Sequence, residues 1–151
     1  MRIALALLGV VVILSWGCRP QAGETQRGAG PRNVIAASYA YVASDEQGAP
    51  LVQGELLLPE VGDGDQFAGT WEARFVGNDE ARRHDVGPQV GVGRLAGRRE
   101  GNEIQIDLNP HMRDNNVALI GTISESGFDG RWEYITLVGV TSSGKFIATR
   151  K

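Results

Sequence analysis

Glu103-Ile104-Gln105-Ile106-Asp107-Leu108 is the stretch that decides the fold. Apolar residues occupy every second position with acids or an amide between them, the period of a strand that has one packed face and one wet face. Upstream, the same parity sets Trp71, Ala73 and Phe75 against Glu72 and Arg74. Downstream, it sets Trp132, Tyr134, Thr136 and Val138 opposite Glu133. Extended outward, the pattern predicts strands over 34–43, 51–58, 69–76, 90–97, 102–108, 117–123, 128–138 and 144–150, and no helix. Most connectors are short and carry Gly, Asp, Asn or Ser, as in Asp45-Glu46-Gln47-Gly48, Ser124-Glu125-Ser126-Gly127 and Thr141-Ser142-Ser143, so chain neighbours should pair as antiparallel hairpins. Two connectors are longer and polar, 77–89 and 109–116, and such loops often carry binding groups.

The expected class is therefore all-β: an antiparallel up-and-down meander of about eight strands curled into a small barrel. Its interior would be just wide enough for side chains or one small ligand. A two-sheet β-sandwich would bury the same faces. The composition agrees, with 21 Gly but only 6 Pro in 151 residues, too aperiodic for collagen. Hydrophobic residues at 42 % and charged ones at 22 % are those of a globular chain.

An internal echo accompanies the meander. Phe67-Ala68-Gly69-Thr70-Trp71-Glu72 and Phe128-Asp129-Gly130-Arg131-Trp132-Glu133 share the pattern F-x-G-x-W-E, and Gly144-Lys145-Phe146 gives a shorter G-x-F version. Glycine lets a strand bend or a neighbouring backbone approach, and the aromatic two positions on turns inward. At Gly69-Thr70-Trp71 the chain resembles the calycin superfamily of lipocalin, fatty-acid-binding and avidin-like barrels, where a G-x-W motif opens a strand near the barrel's start. Here the motif begins the third candidate strand. The resemblance implies a binder of a small or hydrophobic ligand and assigns no residue roles.

The N-terminal segment reads as a processing signal. Met1-Arg2 supplies a positive start, residues 3–14 are apolar apart from Gly9, and Ser15-Trp16-Gly17-Cys18 follows, a run too short for a spanning helix. Cys18 is the only cysteine, so neither a disulfide nor a cysteine-rich metal site is expected. The segment resembles a bacterial lipoprotein signal, in which the cysteine at the cleavage point is diacylated and becomes the new N-terminus. That resemblance implies a signal peptide over 1–17, a lipidated Cys18 with a flexible tether to residue 33, and a barrel domain over 34–151. It also implies a cell-envelope location, anchored through lipid, on the periplasmic side of an outer membrane if the organism has two. The tether has no large apolar residue and spans about 20 Å root mean square.

Loss of residues 1–17 removes one of the 15 basic residues and none of the 18 acidic ones, leaving a mildly acidic chain that is not expected to bind nucleic acid. No nucleophile-elbow, P-loop, zinc-protease or EF-hand spacing occurs. His84 and His111 lie in loops beside Arg82, Arg83 and Arg113, an arrangement that repels a cation, so no metal and no cofactor are expected. Glu72 and Glu133 occupy equivalent places in the echo, but parity turns both away from the aromatic face, where no burial would raise a catalytic pKa.

The sequence thus predicts a membrane-anchored binding module rather than an enzyme. Tyr39 or Tyr41, Trp71, Phe75, Trp132 and Tyr134 are its candidate ligand-lining residues. The alternative is a structural or assembly lipoprotein that meets a protein partner through the outer barrel face.

Overall fold

Period-two alternation builds the sheet observed in the computed structural model, which describes residues 37–59 and 66–151. Among these residues eight strands succeed one another: β1 (Ala37–Ser44), β2 (Pro50–Leu58), β3 (Gln66–Phe75), β4 (Gly91–Glu100), β5 (Glu103–Asp107), β6 (Asn115–Ser124), β7 (Gly127–Thr136) and β8 (Gly139–Arg150). Each pairs antiparallel with its chain neighbour, and β8 returns to pair with β1, with Tyr39 opposite Arg150 and Ser44 opposite Lys145. Closure through β1 and β8 makes the sheet a barrel and excludes the sandwich. Among the described residues, the buried side chains of all eight strands meet in one core. Residues 1–36, including Cys18 and the tether, lie outside the described residues.

Three local features differ from the sequence expectation. The last hairpin turns at Leu137 and Val138 rather than at Thr141-Ser142-Ser143, with Thr136 opposite Gly139. Gly139 takes φ +99°, a region open to glycine because it has no Cβ. A register shift where Tyr134 and Ile135 face Ser142 and Val140 leaves Thr141 as an extra residue on β8, and Val138, expected on the packed face, lies in the turn and is 87 % exposed. The third difference is a 3-10 turn, Glu80–His84, in the long connector; its first turn is capped by the Asp79 carboxylate, which accepts from Ala81 N at 3.0 Å.

The echo has a structural basis. Trp71 on β3 lies opposite Gly93 of β4, and Trp132 on β7 lies opposite Gly144 of β8. The Trp71 indole N–H donates to Leu108 O at 2.7 Å, just past the end of β5, and the Trp132 indole donates to Ser44 O at 2.8 Å, at the end of β1. Strands three, four and five therefore correspond to seven, eight and one. The barrel is two similar four-stranded halves, each locked by an inward tryptophan over a glycine.

One end of the barrel is shut by the connector 76–90. Its Val86 and Gln89 are buried, in a segment whose polar composition predicted solvation. Arg82 bonds Asp45 at 2.9 Å, Asn109 Nδ2 donates to Pro88 O at 3.1 Å, and Ser142 Oγ donates to Asp85 O. Tyr41 OH donates to Gln89 Oε1 at 2.6 Å, while Gln89 Nε2 is buried without a partner among the described residues. Burial holds the Tyr41 phenol far above its ordinary pKa, so it stays a neutral donor.

Two predictions follow from this cover. Tyr41→Phe leaves both ends of a buried amide unbonded and should cost about 1–3 kcal/mol in urea unfolding, whereas adding Gln89→Leu should recover most of that loss. The Asp45 carboxyl is held below the usual carboxylate range by its bond to Arg82, then by the Ala49 backbone N–H. A lowered folded-state pKa stabilises above the unfolded value and is lost as pH falls through the folded one. Stability should therefore drop on acidification below about pH 4, and Asp45→Asn should flatten that part of the profile.

Candidate functional site

The end of the barrel opposite the cover carries a concavity of about 220 Å³. Its wall comes from Ala37 and Tyr39 of β1, Leu58 at the end of β2, Ile104 of β5, Ile123 of β6 and Phe128 of β7. The Tyr39 and Phe128 rings meet at 5.1 Å between centroids, tilted by 59°, and Phe128 in turn packs edge-on against Phe146 at 5.9 Å. Those contacts make an aromatic floor between the concavity and the core.

Charged groups ring this floor. Arg99 at the end of β4 and Arg150 at the end of β8 both line the concavity, with Glu125 from the tight β6–β7 turn. Strand parity explains why arginines reach it. On β8 the inward series is Phe146, Ala148 and then Arg150, the first two buried. On β4 it is Leu95, Gly97 and then Arg99. The inward row thus ends in a guanidinium on both strands, at positions that correspond between the two half-barrels. Arg99 Nε donates to Gly101 O at 2.8 Å, which orients its side chain.

The five aromatic candidates divide by position. Tyr39 lines the mouth concavity. Trp71 and Trp132 are 5 % and 1 % exposed and fill the interior. Phe75 and Tyr134 are half-buried at the covered end, where Tyr134 lies against Gly87 of the connector and Phe75 against Gly77. The structure therefore separates them into three groups and brings Tyr39 together with Phe128, Ile123, Leu58, Ile104 and the two arginines. Parity alone would have nominated Phe128, which opens the second echo motif, and Arg150, which ends an inward row. Which end of the barrel carries the concavity was not written in any strand.

The other polar candidates lie outside this concavity. Glu72 is exposed opposite Glu55, whose carboxyl is held low by Lys151 and Ser38. Glu133 pairs with Arg131 at 2.9 Å. His84 and His111 are exposed, and no three metal-ligating side chains gather among the described residues. No helix among the described residues is long and apolar enough to cross a membrane. Compared with known proteins, the chain matches no family model, no curated protein and no solved structure.

Proposed function

We propose that the protein is a lipid-anchored cell-envelope binding module, without catalysis of its own, that takes a small amphiphilic ligand at the concave end of its barrel. The observation that carries this reading is the mouth itself: a concave, aromatic-floored site of about 220 Å³ at the end of a barrel whose interior is otherwise filled with side chains. A few convergent polar groups over an apolar floor is the usual form of a small-molecule site, and this volume suits a ligand smaller than a typical drug. The anchor rests on Cys18 and the apolar run before it. Two acyl chains on that cysteine would give stable attachment, at roughly 0.8 kcal/mol per buried CH₂.

The two parts have separate tests. Cys18→Ser should shift the protein out of the membrane fraction, and unchanged partitioning would remove the anchor. Titration of the isotope-labelled domain 34–151 with short-chain amphiphiles should move resonances of Tyr39, Ile123 and Phe128. Silence at all three would remove the binding site.

A second reading, docking of a protein partner on the outer wall, is favoured by the exposure of Leu57 and Val92 around a shallow groove on β2, β3 and β4. Under that reading Val92→Asp abolishes partner binding and leaves the mouth titration untouched.

A further inference from the structure

From a stretch of β8 that has a neighbouring strand on one side only, we infer that this edge is a contact between two copies of the chain, paired antiparallel about a two-fold axis. β8 begins at Gly139, but β1 meets it only from Lys145, which lies opposite Ser44. Residues 139–144 therefore pair with β7 alone, and no further backbone-to-backbone hydrogen bond reaches them among the described residues. Such an edge presents unpaired N–H and C=O groups as a template for another strand. The β1–β2 turn touches its far end, where Ser143 Oγ donates to Glu46 Oε1 at 3.2 Å, so the open part centres on Val140 and Thr141. The other half-barrel shows how an overhang of this kind is guarded. β4 begins at Gly91 and meets β5 only from Ala96, yet its unpaired stretch carries the charge of Arg94 and follows directly on the connector that folds over the barrel end. On β8 the run 137–144, LVGVTSSG, contains no charge and no proline, and only the bulge at Thr141 interrupts it. It opens on a bare two-residue turn whose Leu137 is 85 % exposed, and Val140 beyond it is 55 % exposed.

The rest of this chain does not suit the edge. Residues 60–65 join β2 to β3 at the opposite end of the barrel, and six residues fixed at both ends reach only about 10 Å from them. The chain before Ala37 also enters at that opposite end, and its stretch 19–33 has no large apolar side chain to lay on Leu137, Val138 and Val140. A second copy does suit it. The same uncharged run comes from each side, so no like charges meet, and a two-fold axis across antiparallel strands makes the contact self-complementary. Because β4 keeps its charge and its connector, one unguarded edge remains on each barrel and association stops at two. A few ladder hydrogen bonds and three apolar side chains from each copy fall short of the roughly 1,200 Å² of a standard interface. The pair is therefore in equilibrium with its monomer, weaker than about micromolar. Nothing in this contact depends on what the mouth binds.

Sedimentation equilibrium of the full chain in density-matched detergent, over a concentration series reaching the millimolar range, tests the inference beside the domain 34–151 in plain buffer. Both should show a monomer–dimer equilibrium with no larger species. Val140→Lys places like charges at the centre of the contact and should weaken association at least about tenfold, leaving thermal stability unchanged because the side chain is exposed. Val140→Thr, β-branched and neutral, should retain most of it. Cysteine cross-linking locates the contact once Cys18→Ser has removed the only native thiol. In that background Val140→Cys should give a covalent dimer on mild oxidation. Ile147→Cys, similarly exposed on the same strand but where β1 pairs with it, should not. A chain that stays monomeric throughout would overturn the inference. So would association that ignores Val140→Lys, or cross-linking as strong at Ile147→Cys as at Val140→Cys, since either puts the contact elsewhere. Association of the domain 34–151 without association of the full chain would assign the edge to residues 1–33 and overturn the second copy as its occupant.

Discussion

Trp132→Ala should destabilise the domain by about 3–5 kcal/mol and lower its Tm by on the order of 15 °C in a calorimetric scan. The indole is almost completely buried, and it does two things at once. Its rings fill the space over Gly144, and its N–H satisfies Ser44 O at the seam where β1 and β8 close the barrel. Truncation leaves a cavity in a close-packed interior and a carbonyl without its donor. Trp132→Phe keeps most of the volume and loses the donor, so it should cost about 1–3 kcal/mol. The corresponding Trp71→Ala should fall in the same range as Trp132→Ala, because Trp71 makes the same pair of contacts in the other half-barrel, with Gly93 and Leu108 O. A loss below about 1 kcal/mol for either tryptophan would contradict the locked-halves description.

The second large effect is expected at the glycines beneath the indoles, and it should differ between the halves. A Cβ on Gly144 would overlap the backbone oxygen of Ser44 and lie 2.7 Å from the Trp132 indole nitrogen. Relief therefore needs movement of a strand at the closure seam. A Cβ on Gly93 would lie 2.6 Å from the Trp71 indole nitrogen, and the nearest atoms all belong to that side chain. Gly144→Ala should therefore cost more than Gly93→Ala, the former at least about 3 kcal/mol by analogy with severe overpacking. Urea unfolding of both variants checks this, with equal losses as the contrary outcome. In the double variant Trp132→Ala, Gly144→Ala, the losses should be less than additive, since removing the ring removes one of the two overlaps.

Much of the architecture was legible in local pattern. Ile104, Ile106 and Leu108 against Glu103, Gln105 and Asp107 identified one strand unambiguously, and the same reasoning found all eight and their neighbour pairing. Closure into a barrel was expected from the packed and wet faces, but its register was not, because Tyr39 opposite Arg150 joins residues from the two ends of the domain. It also failed where backbone detail overrides parity. The final turn falls at Leu137 and Val138, a pair of apolar residues that carries no turn signal, while the Thr141-Ser142-Ser143 cluster sits inside β8, with Thr141 as its bulge.

The site was legible only in part. A period of two turns these aromatic residues toward the interior, but it says nothing about depth along the barrel axis. Depth separates Tyr39 at the mouth from Trp71 and Trp132 in the core and from Phe75 and Tyr134 beneath the covering connector. That connector reads as polar because Arg82, Arg83, His84 and Asp85 face water, yet two of its residues, Val86 and Gln89, seal the end of the barrel. Arg99 and Arg150 look like ordinary charges in the chain; only the register places them last in rows that begin in the core.

The central claim is that this barrel is solid inside and receives its ligand at the mouth. Saturating the domain 34–151 with octanoate while recording the indole N–H resonances of Trp71 and Trp132 beside the Tyr39, Ile123 and Phe128 resonances tests it most directly. The account predicts shifts at the three mouth residues and none at either indole, whose hydrogen bonds to Leu108 O and Ser44 O stay intact. Shifts at the indoles with a silent mouth would contradict it, for they would show a ligand entering the interior in place of the side chains that fill it.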